Sequence, residues 1–205
     1  MQIINLNKSY NQKTVFHDLK YRFDKGSVYW LQGRNGVGKS TLIRVLLGME
    51  KADRGWIQDK QNRQLYIPEI PLTEEWLTIR ENIDLLYKIS GFPYPQFINW
   101  SEKLCIKEKD MDSLAMECSL GTNMKIAFSL LYSEVDIGFI VIDEAFSHFD
   151  QNMQKNMIDF LIEYAKQKNS IVLFTHHDSL EKANQFKTIK QIILEEGALY
   201  EARDV

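Results

Sequence analysis

The sequence predicts an α/β fold with a largely parallel sheet. Strand-sized apolar runs alternate with stretches of helical period along its 205 residues. Two of those runs, 137–142 "IGFIVI" and 170–175 "SIVLFT", are almost wholly apolar, as expected of parallel strands covered on both faces. A glycine-rich segment, 33–41 "GRNGVGKST", stands between a predicted strand and a predicted helix.

Taken in order, residues 1–31 read as short strands. "QIINLN", "LKYRF" and "SVYWLQ" are separated by polar turns, with Asp24-Lys25-Gly26 the clearest turn signal. After the glycine-rich segment, Leu42, Ile43, Val45, Leu46 and Leu47 suit a helix buried on most sides and closed by Gly48. Residues 55–68 return to short strands ending at "QLYIP". From 72 to about 117 the chain reads as helical and irregular, with a break at "GFPYP". In 117–131, "ECSLGTNMKIAFSLL", Ser119 and Gly121 precede an apolar run of helical character. Residues 151–169 place Met153, Met157, Ile158, Leu161, Tyr164 and Ala165 on one face of an amphipathic helix. "TIKQIILEEGALYEA" reads as a closing hairpin around Glu195-Glu196-Gly197.

Composition narrows the function classes. The chain is 44% hydrophobic and 26% charged, ordinary for a soluble globular protein. A net charge of −3 and a pI near 5.9 argue against a nucleic-acid surface. Cys105 and Cys118 have neither metal-like spacing nor a disulfide framework, which suits a reducing cytoplasmic compartment. The apolar runs fall far short of the roughly 20 residues that a spanning helix needs. The N-terminus lacks the regions of a signal peptide. Any role at a membrane is therefore expected through another chain. With the last hairpin close to residue 205, no regulatory C-terminal domain is expected.

"GRNGVGKST" fits G-x-x-x-x-G-K-[ST] through Gly33, Gly38, Lys39 and Ser40. Glycines let backbone N–H groups approach phosphate oxygens closely. The helix that follows points its positive end at the same anion. Lys39 would neutralise β- and γ-phosphate charge, and Ser40 would ligate Mg²⁺. "FIVIDE" then places Asp143 and Glu144 at the end of an apolar strand, where open α/β sheets bind ligands. Asp143 suits Mg²⁺, directly or through water, and Glu144 suits activation of an attacking water. These are the parts of a phosphate-loop hydrolase of a nucleoside triphosphate.

Across nearly the whole chain, and in order, these residues resemble the nucleotide-binding subunit of an ABC transporter. Tyr10 in "LNKSYNQKTVF" matches the aromatic that stacks on adenine. "GRNGVGKST" matches Walker A, "YIPEIPLTEEWLTIREN" resembles the Q-loop segment with Glu69 at the usual glutamine, and "CSLGTNMK" resembles the signature motif. "FIVIDE" matches Walker B, "SHFD" at 147–150 the D-loop, and "FTHHD" carries the switch histidine. The resemblance implies a RecA-like P-loop core with an N-terminal antiparallel β subdomain and an inserted α-helical subdomain. In this chain that is one domain over 1–205, with 1–71 and 132–205 as core plus β subdomain and about 72–131 as the helical subdomain.

The resemblance also implies cofactors, partners and roles. ATP and Mg²⁺ are the cofactors. Tyr10, Gly33, Asn35, Gly36, Gly38, Lys39, Ser40, Thr41, Ser119, Gly121 and Asp150 are the nucleotide contacts. Ser40, Glu69 and Asp143 are the metal ligands, with Glu144 and His176 catalytic. His177 is the less favoured switch residue, and adjacent histidines at a strand end point different ways, so a zinc site is not expected. Two such subunits pack head-to-tail, each ATP lying between the phosphate loop of one and the signature helix of the other. Their closure drives separate transmembrane permease subunits, so the chain is expected on the inner face of the membrane, with no nucleic-acid partner.

Departures from the family pattern point toward export. Glu69 in place of glutamine resembles subunits of ABC-2-like exporters, as does the "SLGT" form with Leu120 and Thr122. Ala145 stands where proline is usual and His148 where a small residue is usual. Ser119 also reads as a plain N-cap, and so does Asp150. Trp76, Phe92, Tyr94 and Phe97 are candidate permease contacts or, equally, core of the helical subdomain. Two other readings stand beside transport: a non-transport ABC ATPase acting on nucleic acid or a soluble complex, and a catalytically silent regulatory subunit. The retained Glu144 and His176 speak against the second.

Overall fold

The computed structural model describes residues 1–11, 13–94, 101–176 and 188–202. Phe97 and His177 lie outside the described residues. The chain divides into two compact units.

The first unit comprises Met1–Tyr66, Ile137–Glu144 and Met157–Val205. Strands β1 (Gln2–Tyr10) and β2 (Lys13–Arg22) pair antiparallel, as the polar turn between them requires. After β3 (Ser27–Gln32) and helix α1 (Lys39–Leu47), β4 (Arg54–Gln58) returns antiparallel to β1. That makes a three-stranded sheet of order β2-β1-β4.

The second sheet carries the site. It adds β5 (Gln64–Ile67), β6 (Phe139–Ile142), β7 (Ile171–Thr175), β8 (Lys190–Glu195) and β9 (Ala198–Glu201) to β3, in the order β5-β6-β7-β3-β8-β9. The run β6-β7-β3-β8 is parallel, and β9 closes it antiparallel to β8. Every residue of β6 and β7 is buried, which explains their apolar composition. The closing turn sits at Glu196 and Gly197, with φ of 48° and 77°. Two left-handed residues give a two-residue hairpin turn the twist its strands need.

Helix α1 forms because its apolar positions crowd the core on most sides. Leu42, Ile43, Val45, Leu46 and Leu47 pack with Ile3, Phe16, Leu31, Val141 and Leu173. Gly48 ends it at φ 76°, where its amide N–H reaches the carbonyls of Arg44 and Val45. The phosphate loop is thus tied to a helix anchored in the core.

The second unit comprises Ile67–Asp136 and Ala145–Asn156. Helix α2 (Ile79–Ser90) opens with a capping box between Thr78 and Glu81 and stops at Gly91, φ 68°. Asn82 is buried and pins the preceding loop. Its Nδ2 donates to the carbonyls of Glu74, Leu77 and Thr78, and its Oδ1 accepts from the Glu74 amide at 2.7 Å. Helix α3 (Leu120–Phe128) follows, and the Tyr87 hydroxyl donates to the Ser129 carbonyl at 2.6 Å. Helix α4 (Gln151–Lys168) begins in this unit and ends in the first.

The expectation of a helical and irregular 72–117 with a break at "GFPYP" agrees with α2 closing at Gly91, with helical backbone at 101–103 and with short 3-10 turns at Glu108–Asp110 and Ala115–Glu117 among the described residues. Capping signals at both ends confine α2. Trp76 and Tyr94 are exposed and Phe92 is partly buried. The Tyr94 ring rests against Tyr87, 4.9 Å between centroids. No helix of the described residues is long and apolar enough to cross a membrane.

Leu46, in the helix that follows the phosphate loop, is fully buried. Leu46→Ala is expected to lower stability by about 2–5 kcal/mol in urea unfolding, through lost transfer energy and a cavity.

Candidate functional site

The glycine-rich segment leaves the carboxyl end of β3 and becomes α1. Gly33 adopts φ 149° and passes so close to β8 that a Cβ would lie 2.6 Å from the Leu194 carbonyl oxygen. Gly38 caps α1 at φ 115°, where a Cβ would lie 2.6 Å from Val15 Cγ1. Only glycine meets both demands without strain. Gly38 offers no side-chain cap, so the first-turn amides of α1 are left for another acceptor. Lys39 Nζ donates to the Gly33 carbonyl at 2.7 Å and to the Arg34 carbonyl at 3.4 Å, holding the ammonium across the loop. Asn35, Gly36, Ser40 and Thr41 complete the segment.

The acidic pair follows β6, two strands away in the sheet order. Asp143 is held from both neighbouring strands. Thr175, the last residue of β7, donates its hydroxyl to Asp143 Oδ1 at 2.7 Å. Tyr66, on β5, donates its hydroxyl to Asp143 Oδ2 at 3.3 Å. The Thr175 hydroxyl also accepts from the Glu144 amide at 2.9 Å. Glu144 is buried and adopts φ 56°, a left-handed backbone that costs a non-glycine residue about 1–3 kcal/mol. His176 follows Thr175 directly and is buried. The strand ends therefore bring together Gly33, Asp143, Glu144, Thr175 and His176. Tyr66 and Thr175 were not singled out from sequence; only the strand order reveals that they flank Asp143.

The donors fit a hard cation. Ser40 and Asp143 offer oxygen ligands of the kind Mg²⁺ takes beside nucleotide phosphates. No group of three His, Cys, Asp or Glu that could cage a metal occurs among the described residues. One or two protein oxygens plus phosphate is the usual arrangement for Mg²⁺, so the chemistry of the donors agrees with the ion.

Tyr10 ends β1 and is partly exposed. Its hydroxyl donates to the Glu50 carboxylate, which also receives Lys8 and Arg44. Those partners, the tyrosine first, pull the Glu50 carboxyl down to about 2.

In the second unit, Ser119 caps α3 by accepting from the Thr122 amide at 3.1 Å, and its hydroxyl lies 2.9 Å from Thr122 Oγ1. Gly121 is a close approach: a Cβ there would lie 2.9 Å from the His148 carbonyl oxygen. That contact makes the His148 backbone part of the setting of α3. Asp150 caps α4, its Oδ1 accepting from the Met153 amide at 2.8 Å. Gln154 Nε2 donates to the carbonyls of Phe146 and Phe149 and fixes the turn before α4. Glu69 is exposed in the turn after β5.

A phosphate loop after the strand β3, with an acidic pair two strands away in a parallel sheet, defines a P-loop nucleoside triphosphatase. Comparison with known proteins narrows it. The ABC transporter family matches residues 16–168. The chain is 30% identical over 202 residues to the ABC transporter ATP-binding protein YthP of Bacillus subtilis, covering 95% of this chain and 84% of that protein. It is 29% identical over 178 residues to the aliphatic sulfonates import ATP-binding protein SsuB 2 of Pseudomonas syringae pv. tomato, covering 83% and 72%. A solved ATP-binding subunit of an ABC transporter superposes with a TM-score of 0.77 at 24% identity, over 98% of this chain and 88% of that one. The chain belongs to the ABC transporter family. It is an ATP-binding subunit and an ATPase of that family.

Thr175→Val keeps the shape of the side chain but leaves the buried Glu144 amide without its acceptor. Stability is expected to fall by about 1–3 kcal/mol in urea unfolding, with ATP turnover falling alongside, and Thr175→Ser is expected to restore most of both.

Proposed function

We propose that this chain hydrolyses ATP within a head-to-tail pair of such subunits and so powers export through separate permease subunits. The observation that carries the reading is the gathering of the phosphate loop and the Asp143–Glu144 pair at the carboxyl ends of β3 and β6, two parallel strands on either side of β7. Gly33, Asn35, Gly36, Gly38, Lys39, Ser40 and Thr41 cradle the phosphates through backbone amides, one ammonium and hydroxyls. Tyr10 stacks on the adenine base. Mg²⁺, bound with the nucleotide, supplies charge neutralisation on the phosphates, and Ser40 and Asp143 would hold it.

Glu144 takes a proton from the attacking water, and His176 steadies the γ-phosphate. Burial suits both tasks, because a water-poor setting strengthens their electrostatic effect. The cap of α3 serves the partner subunit's nucleotide: Ser119 and Gly121 present a helix N-terminus to its terminal phosphate. Asp150, fixed as the cap of α4, holds the segment 147–150 at that border. Nucleotide binding favours the closed pair over the open one, and this difference in affinity does the mechanical work.

Exposed Trp76 and Tyr94 support a docking role toward the permease. Attachment to a permease would place the chain at the inner membrane face. The Pseudomonas relative is named for import. The outward direction proposed here rests instead on Glu69, Leu120 and Thr122, the chain's own departures from the family pattern. An acidic pI supports the lack of a nucleic-acid partner.

Glu144→Gln is expected to lower ATP turnover by about a hundredfold or more, while ATP stays bound and the dimer accumulates in size-exclusion chromatography. Unchanged turnover would remove Glu144 from its role. Ser119→Arg is expected to abolish ATP-driven dimerisation and to spare the monomer's ATP affinity. If the monomer loses affinity instead, Ser119 belongs to the chain's own site. Purification from a native membrane extract completes the test: a stable complex with a polytopic membrane protein supports transport, and nucleic-acid-stimulated ATPase activity without one overturns it.

A further inference from the structure

We propose that Glu50 is a positioning residue for nucleotide binding, holding the Tyr10 ring in one orientation with the help of Lys8 and Arg44. The inference rests on the reading of Tyr10 as the aromatic that stacks on the base. It adds a set of residues that no sequence motif identifies.

An aromatic at the exposed end of a strand normally keeps rotamer freedom, and that freedom is lost when a ligand stacks on it. Tyr10 is fixed beforehand at two places. Its hydroxyl donates to the Glu50 carboxylate. One face of its ring is covered by the Lys8 ammonium, 4.9 Å from the centroid, a cation–π contact. The base therefore stacks on the opposite face.

The clamp is itself anchored. Glu50 Oε1 receives Lys8 Nζ at 2.9 Å, and Oε2 receives Arg44 Nε at 3.0 Å. Lys8 Nζ also donates to the Lys51 carbonyl at 3.0 Å and pairs with Asp53 at 3.7 Å. Asp53 in turn accepts from the Ser9 amide at 2.7 Å, closing the set back onto β1. Lys8 and Glu50 are half-buried, at 12% and 20% side-chain exposure. Arg44 Nη2 reaches Thr41 Oγ1 at 3.4 Å. The cluster thus runs from the base platform to the first turn of α1, one residue beyond Ser40. Glu50 is the shared acceptor that joins the two ends.

The test separates base recognition from phosphate recognition. Affinities of the purified chain for Mg-ATP and for Mg-tripolyphosphate are measured by calorimetry. Tyr10→Ala is expected to weaken ATP roughly tenfold and leave tripolyphosphate unchanged. Glu50→Ala is expected to weaken ATP roughly threefold, spare tripolyphosphate, and cost nothing further in the Tyr10→Ala background. Tyr10→Phe, which keeps the ring and removes only the hydroxyl, is expected to match Glu50→Ala; it also serves as the probe if Glu50→Ala does not fold. Equal loss for ATP and tripolyphosphate in Glu50→Ala, or additive loss in the double variant, would overturn the positioning role. So would unchanged ATP affinity in Glu50→Ala and Tyr10→Phe where Tyr10→Ala is impaired. If Tyr10→Ala itself leaves ATP affinity unchanged, the stacking reading fails first and the inference fails with it.

Discussion

The site depends on one constraint, the parallel register of β6, β7 and β3. Ile142 pairs with Phe174, and Phe174 pairs with Trp30. Thr175 pairs with Leu31 in the next row, and Asp143 follows Ile142 beside it. That register delivers the Thr175 hydroxyl to Asp143 and to the Glu144 amide at once. Side chains alternate along a strand, so a slip of one residue would turn the threonine to the other face of the sheet. The apolar rows beneath hold the register, because any slip would turn their packed side chains away from the neighbours they now meet. Packing energy in the core thus becomes positional accuracy at the strand ends.

Two local costs stand against that gain. Glu144 adopts a backbone conformation that L-residues disfavour, and the hydrogen bond from its amide to Thr175 holds it there. The phosphate loop gives up side chains altogether at Gly33 and Gly38, where β8 and β2 crowd the backbone. Burial of α1 offsets this loss: the loop has little structure of its own, and the helix it enters is fixed in the core. The site is therefore rigid where the fold is strongest.

Much of this was legible in the sequence, and the reasons for the rest are physical. The phosphate loop, the apolar strand before Asp143 and the helix from Gln151 announce themselves through local pattern. So does the turn at Glu196 and Gly197, where the glycine suits a left-handed backbone. Tyr66, Thr175 and Glu50 do not. Each meets a residue far away in the chain: strand order makes Tyr66 and Thr175 neighbours of Asp143, and the chain leaving α1 brings Glu50 to Tyr10. Nothing in the structure explains the side chain of His148. The structure shows its carbonyl, not its imidazole, meeting Gly121. The stretch 72–117 was legible in outline: the break at "GFPYP" is where Gly91 closes α2, while the capping box at Thr78 sets where the regular part begins.

Helix caps distinguish a structural end from a binding end. Among the described helices, α2 is capped by Thr78, α3 by Ser119 and α4 by Asp150, each through a side-chain oxygen. The start of α1 has only Gly38, which leaves its amides to an anion. The cap of α3 lies between these cases. Ser119 accepts from the Thr122 amide, yet its own proton is still available, since a hydroxyl both donates and accepts. Thr122 Oγ1 lies within reach of that proton at 2.9 Å. One hydroxyl thus donates to the other. Both hydroxyls are free to turn outward while the amide bond that caps the helix stays made. Under the proposed head-to-tail pairing Thr122 would supply a second donor beside Ser119.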